Sequence, residues 1–81
     1  MNVRLVALDA LLSRADQTLV REGLINALQR QNAPLIQLTI TDALLRHREK
    51  KALPQFRRML LKKDLNYRLR SRLVEAIRIF T

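Results

Sequence analysis

Asp9-Ala10-Leu11-Leu12 recurs 33 residues later as Asp42-Ala43-Leu44-Leu45, and a further step of 33 residues reaches Glu75-Ala76-Ile77. The third copy replaces each residue conservatively. Self-similarity at a fixed period of about 20–50 residues is typical of proteins built from stacked structural repeats. These three short stretches therefore predict a repeat architecture for most of the chain.

Apolar residues before each copy keep the same period. The equivalent sets are Val3, Ile36 and Leu69, followed by Ala7, Ile40 and Leu73. Each copy is then apolar at positions i, i+4, i+7 and i+8, which is one face of an α-helix. We expect three equivalent helices, one in each repeat.

A second apolar pattern lies between these helices and predicts a partner helix in each of the first two repeats. At the same offset, Val20, Gly23, Ala27 and Leu28 align with Leu53, Phe56, Leu60 and Leu61. Gly23 against Phe56 is the poorest match. We interpret Gly23 as a point of close helix approach, at a helix-propensity cost of about 1 kcal/mol relative to alanine.

Capping residues and prolines set the expected helix limits. The predicted helices span 2–14, 17–30, 33–47, 51–63 and 66–80. The residues used to place their starts are Asn2, Asp16, Asn32 with Pro34, the turn at Glu49 to Lys51 with Pro54, and Asp64 or Asn66. The fold class that follows is all-α: one domain over 1–81, a short α-solenoid of about two and a half helical hairpins.

Composition argues against an enzyme. The 81 residues include no cysteine and one histidine, His47, so a thiolate or multi-histidine metal site is excluded and we predict no metal, cofactor or catalytic residue. Asp9, Asp42 and Glu75 occupy equivalent positions, but neighbouring helix axes lie about 8–10 Å apart. We expect these carboxylates to form ion pairs between helices, and His47 to place favourable charge near a helix C-terminus.

Positive charge is concentrated in the second half of the chain. Residues 1–45 carry four basic and four acidic groups, whereas residues 46–81 carry twelve basic and three acidic groups. Lys51, Arg58 and Lys62 share one polar stripe of the fourth helix. The predicted partner-binding residues are Lys51, Arg57, Arg58, Lys62, Lys63, Arg68 and Arg72. Such an asymmetry indicates an anionic partner or, alternatively, a solvated face.

The repeat resembles the HEAT family in its short-period form, over nearly the whole chain. The first helix of a repeat opens with an apolar residue and arginine, as in Val3-Arg4 and Leu69-Arg70, and continues to Asp/Glu-Ala-Leu. The second repeat departs from this pattern with Ile36-Gln37. The resemblance implies that the second helices of the repeats line a concave binding face.

A narrower likeness is to the C-terminal HEAT-like segment of bacterial anti-sigma-factor-like membrane proteins. The stretches that carry it are 3–11 and 45–54. In that group a zinc-binding module and a membrane span precede the repeats, and no run of about 18 apolar residues is present in this chain. The likeness implies a soluble domain cut from a longer protein, either cytoplasmic or the extracytoplasmic part of a membrane protein.

The expected function is that of a non-catalytic module that binds an acidic protein or peptide through its basic face. The alternative is sequence-nonspecific binding of a nucleic-acid backbone by the same half of the chain. Anionic lipid is a further ligand that the basic fifth helix could attract. Val74 and Ile79 are expected to stay exposed on that helix, which suggests a continuation of the chain, a partner helix, or a homodimer through uncapped ends.

Overall fold

The computed structural model describes the backbone from Val3 to Thr81 and side chains from Leu8 onward. Its helices are α1 Val3–Leu12, α2 Thr18–Arg30, α3 Pro34–Arg46, α4 Leu53–Leu60 and α5 Tyr67–Phe80, with a 3₁₀ turn at Lys50–Ala52 before α4. The described residues form no strand. The predicted all-α fold is confirmed.

The predicted helix starts are largely confirmed. Asn66 accepts hydrogen bonds from the backbone N–H groups of Arg68 and Leu69, and Pro34 and Pro54 lie in the first turns of α3 and α4. A proline is tolerated there because its missing N–H would have no helical partner. The predicted Asp16 cap is wrong, since Gln17 precedes α2 and its side chain makes no capping hydrogen bond. Asn2 lies outside the described residues.

The core lies between α3 and the helices around it. Helix α3 packs against α1, α2 and α5, while α4 packs against α5 and α2. The rings of Phe56 and Phe80 stack with their centroids 6.4 Å apart. The largest side chains without solvent contact, or nearly so, are Phe56, Leu24, Leu28, Ile40, Leu44, Leu69 and Leu73. This packing is consistent with a row of helical hairpins.

Equivalent positions of the repeat make equivalent hydrogen bonds. The Gln37 Nε2 group donates to the carbonyl oxygen of Gln31 at 2.8 Å. Arg70, 33 residues later, donates from Nη2 to the carbonyl oxygen of Lys62 at 2.9 Å. Each bond ties the first turns of one helix to the end of the helix before it. Helices α3 and α5 are therefore related in structure as well as in sequence.

The carboxylate at the middle repeat forms the expected link between neighbouring helices. Arg72 Nε of α5 lies 3.1 Å from Asp42 Oδ1 of α3, and Arg72 Nη1 lies 3.9 Å from Glu75 Oε2. The first contact is an ion pair whose N–H direction misses the oxygen, since Oδ1 accepts no hydrogen bond. The prediction of ion pairing between helices is confirmed for Asp42.

The register of α2 against α4 differs from the sequence alignment by one residue. Leu24, and not Gly23, is the fully buried residue that corresponds to Phe56. Gly23 is exposed, and a Cβ atom added there would meet no other atom within 4 Å. The interpretation of Gly23 as a close-approach point is therefore wrong. The connection before α4 accounts for the shift, because its length differs from that of the connection before α2.

Candidate interaction groove between α2 and α4

Helices α2 and α4 run side by side in the same direction. Glu22, near the start of α2, lies 3.6 Å from Lys51, just before α4. Gln29, near the end of α2, lines the same depression as Lys62, just after α4. The interface therefore has a start, formed where both helices begin, and an end, formed where both finish.

A groove of about 240 Å³ occupies the end of this interface. It is lined by Leu28, Gln29, Gln55, Arg58, Met59 and Lys62. The four residues from α4 recur at helical spacing, so they share one side of that helix. We call this depression the α2–α4 groove.

The α2–α4 groove combines an apolar floor with polar and cationic walls. Leu28 and Met59 are buried and form the floor. Gln55 is also buried, and its Oε1 atom lies 3.4 Å from Arg58 Nη1. Arg58 and Lys62 are exposed and have no ion-pair partner among the described side chains. The groove can therefore offer two charged donors to an anionic ligand.

The start of the interface is closed by a buried ion pair. Arg21 Nε of α2 donates to Glu49 Oε2 at 2.7 Å, and the two side chains are only 16% and 8% exposed. Arg21 Nη1 also donates to the carbonyl oxygen of Ala15 at 2.8 Å. This hydrogen bond from Arg21 holds the pKa of Glu49 below its ordinary value, against a smaller opposing effect of burial.

A left-handed residue places Glu49 in this position. Arg48 has a φ of 52°, and the chain around it forms a Schellman motif at the end of α3. The Glu49 N–H donates to the Leu44 carbonyl at 2.9 Å, and the Arg48 N–H donates to the Leu45 carbonyl at 3.0 Å. The motif turns the chain sharply after His47, the C-cap residue. Glu49 then lies within reach of α2.

The predicted binding residues fall into three groups. Arg58 and Lys62 line the α2–α4 groove, whereas Lys51 and Arg72 lie outside it in ion pairs with carboxylates. The remaining predicted residues are exposed and lie outside the groove lining: Arg57, Lys63 and Arg68. The structure therefore brings two of the seven predicted residues together in one depression.

Sequence reasoning missed two features of this interface. The Arg21–Glu49 ion pair joins residues 28 positions apart, and no helical spacing relates them. Leu28 and Met59 were expected only as helix-face residues, although they form the groove floor. The signal that was available is Glu49 itself, a single carboxylate inside the basic run from Arg46 to Lys51.

The chain matches no protein-family model, no curated protein and no solved structure. Within the described part of the chain, no helix has both the length and the apolar character needed to cross a membrane. No group of three or more Asp, Glu or His side chains among those same residues is placed to hold a metal ion.

Proposed function

We propose that the chain is a non-catalytic HEAT-like interaction module whose α2–α4 groove binds an acidic peptide segment of a partner protein. The observation that carries the proposal is the contrast within one interface. At its start the cations Arg21 and Lys51 are paired with carboxylates, whereas at its end Arg58 and Lys62 are exposed and unpaired within the described residues. The narrower family likeness would make this module part of an anti-sigma-like regulator.

The lining of the groove suits one apolar side chain with carboxylates on either side of it. The apolar residue would cover Leu28 and Met59, and the carboxylates would meet Arg58 and Lys62. Arginine forms a planar fork that can bind a carboxylate through two hydrogen bonds, while the lysine acts as a compact point charge. Gln29 and Gln55 would hydrogen-bond the main chain of the bound segment.

A binding assay with two matched variants tests this proposal. The probe is a fluorescein-labelled peptide with alternating glutamate and leucine, followed by fluorescence anisotropy at low salt. The double variant Arg58→Ala/Lys62→Ala should lose at least about tenfold in affinity, since two charge-assisted contacts of about 1.5–3 kcal/mol are removed. The control Arg46→Ala/Arg78→Ala removes two exposed cations that do not line the groove.

The control variant should bind within about twofold of the parent chain, since it loses the same net charge. Equal losses in the two variants would mean that the peptide senses only the overall charge, and the groove would be rejected. Circular dichroism of each variant checks that helicity is unchanged.

Nucleic-acid backbone binding is the second candidate, because the exposed cations Arg57, Lys63 and Arg68 extend beyond the groove. Binding of a random DNA duplex should then fall by about 10³–10⁵ between 50 and 200 mM salt if 6–10 phosphates are contacted. The same two double variants separate the candidates: loss of duplex binding should follow the number of cations removed rather than their place in the groove.

A further inference from the structure

One side of α5 is open to solvent where the equivalent side of α3 is covered. We call this side the α5 end face and define it by Arg70, Val74, Ile77 and Arg78. The α3 residues 33 positions earlier are Gln37, Thr41, Leu44 and Leu45. Thr41 is fully buried, whereas Val74 is 43% exposed.

The rest of α5 is placed as α3 is. Gln37 and Arg70 make the same kind of hydrogen bond to the end of the preceding helix, at 2.8 and 2.9 Å. Leu69 and Leu73 are as completely buried as their counterpart Ile40. The difference between the two helices is therefore confined to the side that α3 turns towards the helices that follow it, α4 and α5.

The α5 end face is an apolar strip between two cations. Val74 and Ile77 are three residues apart and lie on one side of the helix. Arg70 precedes Val74 by four residues and Arg78 follows it by four, so the guanidinium groups lie one turn away in each direction. Neither arginine has an ion-pair partner among the described side chains.

We propose that the α5 end face docks an amphipathic helix of a partner protein, with carboxylates flanking its apolar stripe. The repeat supplies the reason for a helix, because the same face of α3 is covered by helices of this chain. The two arginines supply the reason for carboxylates, since matched charge on the rim of an interface speeds association and selects the partner. A second copy of the chain fits poorly, because each copy carries a net charge of +9.

A displayed library of helical peptides tests this inference. The library fixes leucines on one helical stripe and varies the flanking positions, and it is selected against the full chain. The winning peptides are then measured by fluorescence anisotropy. We expect enrichment of Asp and Glu at the flanking positions, and a loss of at least about tenfold in affinity for Val74→Glu, which places a charge on the apolar strip.

Ile79→Glu is the matched control. Ile79 belongs to the same helix and is 49% exposed, close to the 43% of Val74, but it lies about 140° further round the helix. It should bind the selected peptides within about twofold of the parent chain. Arg58→Ala/Lys62→Ala should also leave this binding unchanged, which separates the end face from the α2–α4 groove.

Three results would overturn the proposal. The first is a selection that yields no peptide sensitive to Val74→Glu. The second is a set of sensitive peptides without carboxylate enrichment. The third is sedimentation velocity showing that the chain alone forms a dimer that Val74→Glu dissociates and Ile79→Glu does not, because a second copy would then be the occupant.

Discussion

The two ends of the α2–α4 interface handle positive charge in opposite ways. At the start, Arg21 is held by Glu49 at 2.7 Å and is largely buried. At the end, Arg58 and Lys62 lie over an apolar floor and remain exposed. Both ends belong to the same pair of helices, so the difference comes from the carboxylates and not from the helix packing.

This difference separates cations that stabilise the fold from cations that are available to a ligand. A buried arginine needs its carboxylate, because an uncompensated charge in the interior is costly. An exposed arginine or lysine at a groove has no such requirement, and its contribution to stability is small. The same residue type therefore has two roles within one interface, and local burial decides which.

The largest expected effect comes from breaking the buried pair with Glu49→Ala. Removal of one partner of a buried ion pair should lower the free energy of unfolding by about 3 kcal/mol. That is a large share of the total of about 4–12 kcal/mol expected for a domain of this length. Urea denaturation measures it. Glu22→Ala, which breaks the exposed pair with Lys51, should cost less than about 1 kcal/mol, and equal costs would contradict the contrast.

The next effect is the pH dependence of stability. The pKa of Glu49 is lower in the folded chain than its ordinary value of 4.5, mainly because Arg21 donates a hydrogen bond to the carboxylate. The unfolded chain thus binds a proton more readily, so the stabilisation is complete above pH 4.5 and is lost as the pH falls through the folded pKa.

Thermal melts from pH 7 to pH 3 measure this dependence. The parent chain should be more stable than Glu49→Gln at pH 7, and the gap in Tm should close as the pH falls. A gap that stays constant over this range would show that the charge of Glu49 is not what stabilises the pair.

The smallest effect concerns the turn that presents Glu49. Arg48→Gly should raise the free energy of unfolding by about 1 kcal/mol, because a side chain in the left-handed region is strained and glycine is not. Chemical denaturation checks the change. Arg57→Gly in the interior of α4 is the control and should lower stability by about 1 kcal/mol. A loss of stability in both variants would mean that the Arg48 backbone is unstrained.

Local sequence signals predicted the fold well because helix limits depend on nearby residues. Pro34, Pro54 and Asn66 act within one turn of their own positions, and each lies where it was predicted. The exposure of Val74 and Ile79 also followed from helical spacing. The Asp16 cap failed because a neighbouring residue, Gln17, takes the position before the helix.

The candidate site was only half predictable because it depends on contacts between distant residues. The stripe that contains Arg58 and Lys62 is a property of one helix and can be recognised from spacing. The pairing of Arg21 with Glu49 depends on the left-handed turn at Arg48, a conformation that arginine rarely adopts. Arg21 was therefore expected to be a groove residue, and this expectation is wrong because the side chain is buried against Glu49.

The matching hydrogen bonds of Gln37 and Arg70 make the chain extendable by engineering. Residues 34–66 form one period, and a second copy inserted in frame after Asn66 would present the same donors and carbonyls to its neighbours. Nearest-neighbour contacts dominate the stability of such arrays, so an added period contributes its own interface. Each insertion would also add one more cationic groove, giving a ladder of binding sites whose number is set by gene length.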